Sequence, residues 1–128
     1  MSRSPAKQIL IVDDETSIIK ILERRLKAEG YGVHVFEDAE SGLRFLLECQ
    51  PLPPPDLLIL DIMLPRMDGY DLCRFIKSHE RLKTLPVILL SARAQMKDER
   101  MGFESGADAY VRKPFETQEL LRQIKDLL

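Results

Sequence analysis

The chain is short of the residues that build redox, metal-cluster and membrane chemistry. Of 128 residues only two are cysteine and two histidine. Cys49 and Cys73 stand alone in helical patterns with no histidine at metal-ligand spacing, so they read as reduced thiols, not as a disulfide frame or a zinc site. His34 and His79 are equally single and read as surface residues. No apolar run approaches the roughly 18 residues that a membrane span needs. Residues 1–7, Met1 to Lys7, form a polar tail without the apolar segment of a signal peptide. Positive charge is not in excess either. The 19 Lys and Arg against 21 Asp and Glu leave a formal charge of −2, so no basic field points to nucleic acid. There is no internal repeat and no low-complexity segment. The expectation is one cytoplasmic domain over residues 8–128, long enough to bury a core unaided.

What the chain does have is a strand-then-helix alternation, five times over. Ile9 to Val12 is a continuous apolar run, read as a buried parallel strand. The helix after it carries Ile18, Ile19, Leu22 and Leu26 at helical spacing and stops at Gly30. Val33 and Val35 alternate with His34 and Phe36, as in an edge strand. Asp38 is the cap of a second helix whose core face holds Leu43, Leu46 and Leu47. The segment Gln50-Pro51-Leu52-Pro53-Pro54-Pro55 can be neither helix nor central strand, since proline lacks the donor and fixes its own φ. Leu57 to Leu60 forms the third strand, and Asp68-Gly69 opens a third helix with Leu72, Cys73 and Ile76 inward. Val87 to Leu90 is the fourth strand, followed by a helix from about Lys97 to Ser105 that Gly106 ends. Val111 belongs to the fifth strand. Thr117 is expected to cap the last helix, with Leu120, Leu121, Ile124, Leu127 and Leu128 on one face. Such alternation implies right-handed crossovers and an α/β fold with a parallel sheet covered on both sides.

Parallel strands bring their carboxyl ends to one edge, where open α/β folds build their sites. Here those ends carry Asp13-Asp14-Glu15, Asp61, Ser91 and Lys113. Each has a plain structural reading: helix-dipole charge for the acid pair, a turn before Pro65 for Asp61, a strand-end hydroxyl for Ser91, a surface lysine for Lys113. Taken together they say more, because carboxylates converging on one edge repel unless something positive sits among them. Mg²⁺ suits such a place, taking oxygen ligands and keeping waters or phosphate oxygens in its shell. Lys113 precedes Pro114, and a cis bond suits a tight strand-to-helix turn there. Tyr110 reads as a half-buried strand aromatic.

The chain resembles the receiver domain of bacterial two-component response regulators from Lys7 to Leu128. The resemblance is carried by Ile11-Val12-Asp13-Asp14-Glu15, Leu60-Asp61-Ile62-Met63-Leu64-Pro65, Met67-Asp68-Gly69, Ser91-Ala92, Gly106-Ala107-Asp108-Ala109-Tyr110 and Lys113-Pro114-Phe115, in this order. It implies a flavodoxin-like (βα)5 doubly wound sheet of strand order 2-1-3-4-5. It also implies Asp61 as phosphoacceptor, and Asp14, Asp61 and the Met63 carbonyl as Mg²⁺ ligands, with Asp13 helping through water. Lys113 would bind the phosphoryl group, and Ser91 with Tyr110 would form the switch pair that reshapes the surface of the fourth helix, fifth strand and fifth helix. The implied donor is a phosphohistidine on a sensor histidine kinase or a histidine phosphotransfer domain. The chain is thus expected to signal without being an enzyme, assisting only its own phosphorylation and slow autodephosphorylation. A phosphorylation-dependent homodimer is compatible with this, whereas direct nucleic-acid or membrane binding by the domain is not expected.

Two departures from the family pattern bear on function. The positions two beyond the acceptor and two beyond the switch hydroxyl, which tune dephosphorylation in the family, are Met63 and Arg93. Neither orients a water as an amide or carboxylate would, so a long phosphoryl lifetime is expected. Ala109 and Gln123 stand where receivers of winged-helix transcription factors carry a second Asp and a basic dimer-pairing residue, so DNA-binding output is not carried over. A dehalogenase-type phosphatase would need a DxD pattern, and position 63 is Met. A flavin carrier would need a neutral phosphate loop where Asp13-Asp14-Glu15 stands. The remaining rival is a phosphorylation-independent receiver-like module, which commonly loses an acid or the lysine. Output stays open between a stand-alone receiver and one belonging to a longer regulator or hybrid kinase.

Overall fold

The computed structural model describes residues 6–48, 54–64, 66–92, 100 and 104–128. Its order is β1 (Gln8–Val12), α1 (Thr16–Ala28), β2 (Gly32–Phe36), α2 (Ala39–Glu48), β3 (Leu57–Asp61), β4 (Met63–Leu64), β5 (Met67–Asp68), α3 (Gly69–Ser78), β6 (Val87–Ser91), β7 (Ala109–Arg112) and α4 (Thr117–Leu127). The helix expected from about residue 97 to 105 falls mostly outside the described residues, as do Cys49, Pro51, Pro53, Pro65 and Arg93.

Five strands form one parallel sheet in the order β2-β1-β3-β6-β7. With the short antiparallel hairpin β4–β5 set aside, this is the expected flavodoxin-like order 2-1-3-4-5. The strands are apolar throughout because the sheet is covered on both faces. Alternation along each strand sends successive side chains to opposite sides. Ile9, Ile11, Leu57, Ile59, Ile88, Leu90 and Val111 pack with α1 and α4. Leu10, Val12, Leu58, Leu60, Val87 and Leu89 pack with α2 and α3. At roughly 2 kcal/mol for each fully buried Leu or Ile, these two layers are the main source of stability.

The turn signals act as their chemistry requires. Gly30 and Gly106 take φ of +95° and +96°, the left-handed region that suits a glycine after a helix. Asp68 caps α3, its side chain accepting from Tyr70 N at 2.8 Å. Asp38 caps α2 through Ser41 N at 2.7 Å. Two expectations need correcting. The N-cap of α4 is Glu116 and Thr117 is its first helical residue, so the threonine does not cap. Leu47, placed on the core face of α2, is 38% exposed. Gly42 lies against Val12 at that face and lets the helix pack through Ala39, Gly42 and Leu46 instead. The β4–β5 hairpin after Asp61 was not foreseen, and Arg66 makes its turn with a φ of +69°.

Candidate functional site

The ladder continues past the strand ends and fixes where the polar residues sit. Asp13 N donates to Phe36 O at 3.0 Å, Ile62 N to Leu90 O at 3.0 Å, and Lys113 N to Ser91 O at 2.7 Å. Asp13 and Asp61 continue the alternation of Ile9, Ile11, Leu57 and Ile59, and Lys113 that of Val111. All three therefore turn toward the α1 side of the sheet edge. Tyr110 packs against the opposite, α2–α3 layer. Ser91, fully buried at the end of β6, shares the parity of Val87 and Leu89 in that layer. The proposed acceptor and the proposed switch pair are thus sorted to opposite faces of one edge.

Asp13 and Asp61 are 1% and 4% exposed. One oxygen of each is taken by a backbone amide: Asp13 Oδ1 accepts from Glu15 N at 2.9 Å, and Asp61 Oδ1 from Met63 N at 3.0 Å. The other oxygen of each faces the Lys113 ammonium, at 3.0 Å for Asp13 Oδ2 and 3.2 Å for Asp61 Oδ2. Glu15 Oε1 lies nearer still, 2.6 Å from Lys113 Nζ. Burial pushes the Asp13 carboxyl from 3.8 up to about 6, with the Asp61 charge adding to the rise and the Glu15 amide and Lys113 opposing it. Burial alone would depress the Lys113 ammonium, but its contacts with Glu15 and Asp13 and the charge of Asp61 raise it instead. The Lys113–Pro114 peptide bond is cis.

Oxygens of Asp13, Glu15 and Asp61 lie within 4.8 Å of one another, a group that could hold a metal ion. The family resemblance implies Asp14, Asp61 and the Met63 carbonyl as ligands, with Asp13 helping through water. In the structure Asp13 is the buried member of the pair, and Asp14 is exposed and outside this group. Glu15 was missed. Its place after an acid pair says only that it opens a helix, and the lysine it meets is 98 residues away. The donor set fits a hard divalent cation. All three candidate groups are carboxylates, and among the described residues no hydrogen-bond donor is aligned on the buried Asp13 Oδ2 although the ammonium stands 3.0 Å from it.

Five parallel strands in this order, with buried acids and a lysine converging at the carboxyl edge, define the class of CheY-like receiver folds. Residues 9–125 match the family model of the response regulator receiver domain, and the chain belongs to that family, the receiver component of two-component signalling. It is 38% identical over 121 residues to the DNA-binding dual master transcriptional regulator RpaA of Synechocystis. That match covers 94% of this chain and 48% of RpaA, so the chain spans about half the length of this curated relative. The receiver domain of a signal transduction histidine kinase from Syntrophus aciditrophicus superposes with a TM-score of 0.86 at 36% identity, covering 96% of this chain and 90% of that one. The phosphorylated cyanobacterial phytochrome response regulator RcpA superposes with a TM-score of 0.81 at 26% identity, covering 95% and 91%.

Proposed function

We propose that the domain accepts a phosphoryl group on Asp61 from a phosphohistidine and switches its surface in response. The observation that carries this reading is a buried Asp61 carboxylate with one oxygen held by Met63 N and the other 3.2 Å from the Lys113 ammonium, inside a group of three acids. The Asp61 oxygen that faces Lys113 attacks phosphorus and forms an acyl phosphate. The phosphorus–nitrogen bond breaks, its electron pair returns to the imidazole nitrogen, and the neutral histidine leaves. Met63 N orients the carboxylate, and Lys113 follows the transferred oxygens as their charge builds. Bound Mg²⁺ supplies further charge neutralisation at those oxygens, with Asp13, Asp61 and Glu15 as the carboxylates in reach and Asp14 and the Met63 carbonyl as the further ligands that the family pattern implies. Ser91 then donates to the new phosphoryl oxygens, and Tyr110 moves on the opposite layer. Phosphorylated RcpA, which shares the fold, supports this reading.

The partner is a histidine kinase or a histidine phosphotransfer domain, met in the cytoplasm. An apolar groove is formed by Ile18, Ile21, Leu22, Pro114 and Phe115, and Pro114 directly follows Lys113 in the chain. Ile21 stands 62% exposed in it, a docking surface suited to the domain that presents the phosphohistidine. The domain turns over no external substrate on this reading. DNA binding is RpaA's own, and the departures at Ala109 and Gln123 argue against transferring the dimer-pairing pattern of winged-helix regulators.

Intact mass measured after incubation with Mg²⁺ and a small acyl phosphate tests the assignment. Wild type should gain one phosphoryl group and Asp61→Asn none. An equal adduct on the variant would sink the Asp61 assignment. Light scattering with beryllofluoride, a phosphoryl mimic, then separates output by self-pairing from output through another protein.

A further inference from the structure

We propose that Glu15 is a positioning residue for Lys113: it gives the ammonium, which bridges the buried Asp13–Asp61 pair, a hydrated partner at the rim toward which it withdraws when a divalent cation enters. The proposal rests on the phosphoacceptor reading and deepens it. Glu15 occupies the N-cap position of α1, yet its side chain makes no capping bond. Its backbone is pinned on both sides, with N–H donated to Asp13 Oδ1 at 2.9 Å and C=O accepting from Ile19 N at 3.1 Å. Only the side chain is at liberty, and it turns across the site to Lys113. Of the three carboxylates around the ammonium Glu15 is nearest, at 2.6 Å against 3.0 and 3.2 Å. It is also the hydrated one: its side chain is 48% exposed, against 0% for Asp13 and 6% for Asp61.

These contrasts define a competition. The Oδ2 atoms that a cation would take are the atoms facing the ammonium, so the two positive charges exclude each other. Two buried carboxylates draw an ammonium more strongly than one carboxylate in water, because the interior screens less. Without Glu15 the buried pair would be the ammonium's only carboxylate partners among the described residues. With Glu15 it has a partner at the rim and can withdraw without being stranded. Glu15 thereby tunes metal affinity through Lys113, a different role from serving as one more ligand.

A double-mutant cycle separates these roles. The midpoint of thermal unfolding, followed against Mg²⁺ concentration, gives the affinity of each chain and reports its folding at the same time. The chains are wild type, Glu15→Gln, Lys113→Met and the double variant, with Lys113→Gln replacing Lys113→Met should the latter not fold. Glu15→Gln should weaken Mg²⁺ binding about tenfold when Lys113 is present and less than twofold when it is absent. Equal losses in both backgrounds would overturn the proposal by making Glu15 a simple ligand or a bulk charge. No loss beside Lys113 would overturn it as well. A wild-type chain that binds Mg²⁺ and takes a phosphoryl group while the losses add leaves the phosphoacceptor reading standing and removes only the Glu15 role. A wild-type chain that does neither removes both.

Discussion

Replacing Asp13 by asparagine should stabilise the metal-free domain at neutral pH, although it deletes a residue of the functional site. Asp13 is 1% exposed, and burial is the main reason its carboxyl is pushed from 3.8 to about 6. Between those values the folded chain holds a proton that the unfolded chain has released. Stability contributed by this group therefore falls as pH rises through that window and stays low above it. The shift corresponds to about 3 kcal/mol at pH 7.5. An asparagine keeps an oxygen for the Glu15 amide but gives up the ion pair with Lys113, so only part is recovered, on the order of 1–2 kcal/mol. For a domain of this size that is a rise in Tm of roughly 3–6 °C. Thermal melts in chelator from pH 4 to 8 would measure it. The difference between variant and wild type should be small at pH 4, grow to about pH 6 and then level off. Adding Mg²⁺ should reverse the order, since wild type gains a ligand that the variant has lost. A variant less stable than wild type at pH 7.5 in chelator, or a difference that ignores pH, would refute the claim that ionised Asp13 strains the apo fold.

Gly69→Ala should cost roughly 2 kcal/mol or more in urea unfolding, because a Cβ there would stand 2.6 Å from Ile62 Cα and 2.7 Å from Asp61 O, both backbone atoms that cannot swing away. A cost below about 0.5 kcal/mol would show that the turn after Asp61 is softer than its geometry implies. Ile21→Ser should slow phosphoryl transfer from a phosphohistidine protein about tenfold more than transfer from a small acyl phosphate. Equal effects on both donors would remove the groove as a docking surface. Met63, 54% exposed beside the acceptor, offers no group to orient a water, so Met63→Asn should shorten the phosphoryl lifetime severalfold. Identical rates of label loss would place the control of lifetime elsewhere.

Much of this protein could be read from residue order. Continuous apolar runs at β1, β3 and β6 announced strands buried on both faces, and Gly30, Asp38, Asp68 and Gly106 marked helix ends by chemistry that acts locally. The position of Asp61 at a strand end was enough to put it on the carboxyl edge. Misplacements came where long-range packing overrode a local signal. Leu47 lies at helical spacing with Leu43, but the close approach of Gly42 to Val12 rotates the face that α2 buries. Thr117 has the chemistry of a cap, yet the turn after Pro114 starts the helix one residue earlier than that reading required.

By itself, then, the sequence determined the alternation of the sheet strands with helices, the doubly covered sheet and the carboxyl-edge position of Asp61, because periodicity, glycine and proline act within a few residues. The tertiary structure alone decided which carboxylates converge. Asp13 rather than Asp14 turns inward, since strand parity carries it to the α1 side of the sheet, and Glu15 joins it because a lysine 98 residues away arrives 2.6 Å from its oxygen. Distances of that kind depend on how two strands that never pair directly are spaced by the sheet between them, and no local pattern of residues encodes that spacing.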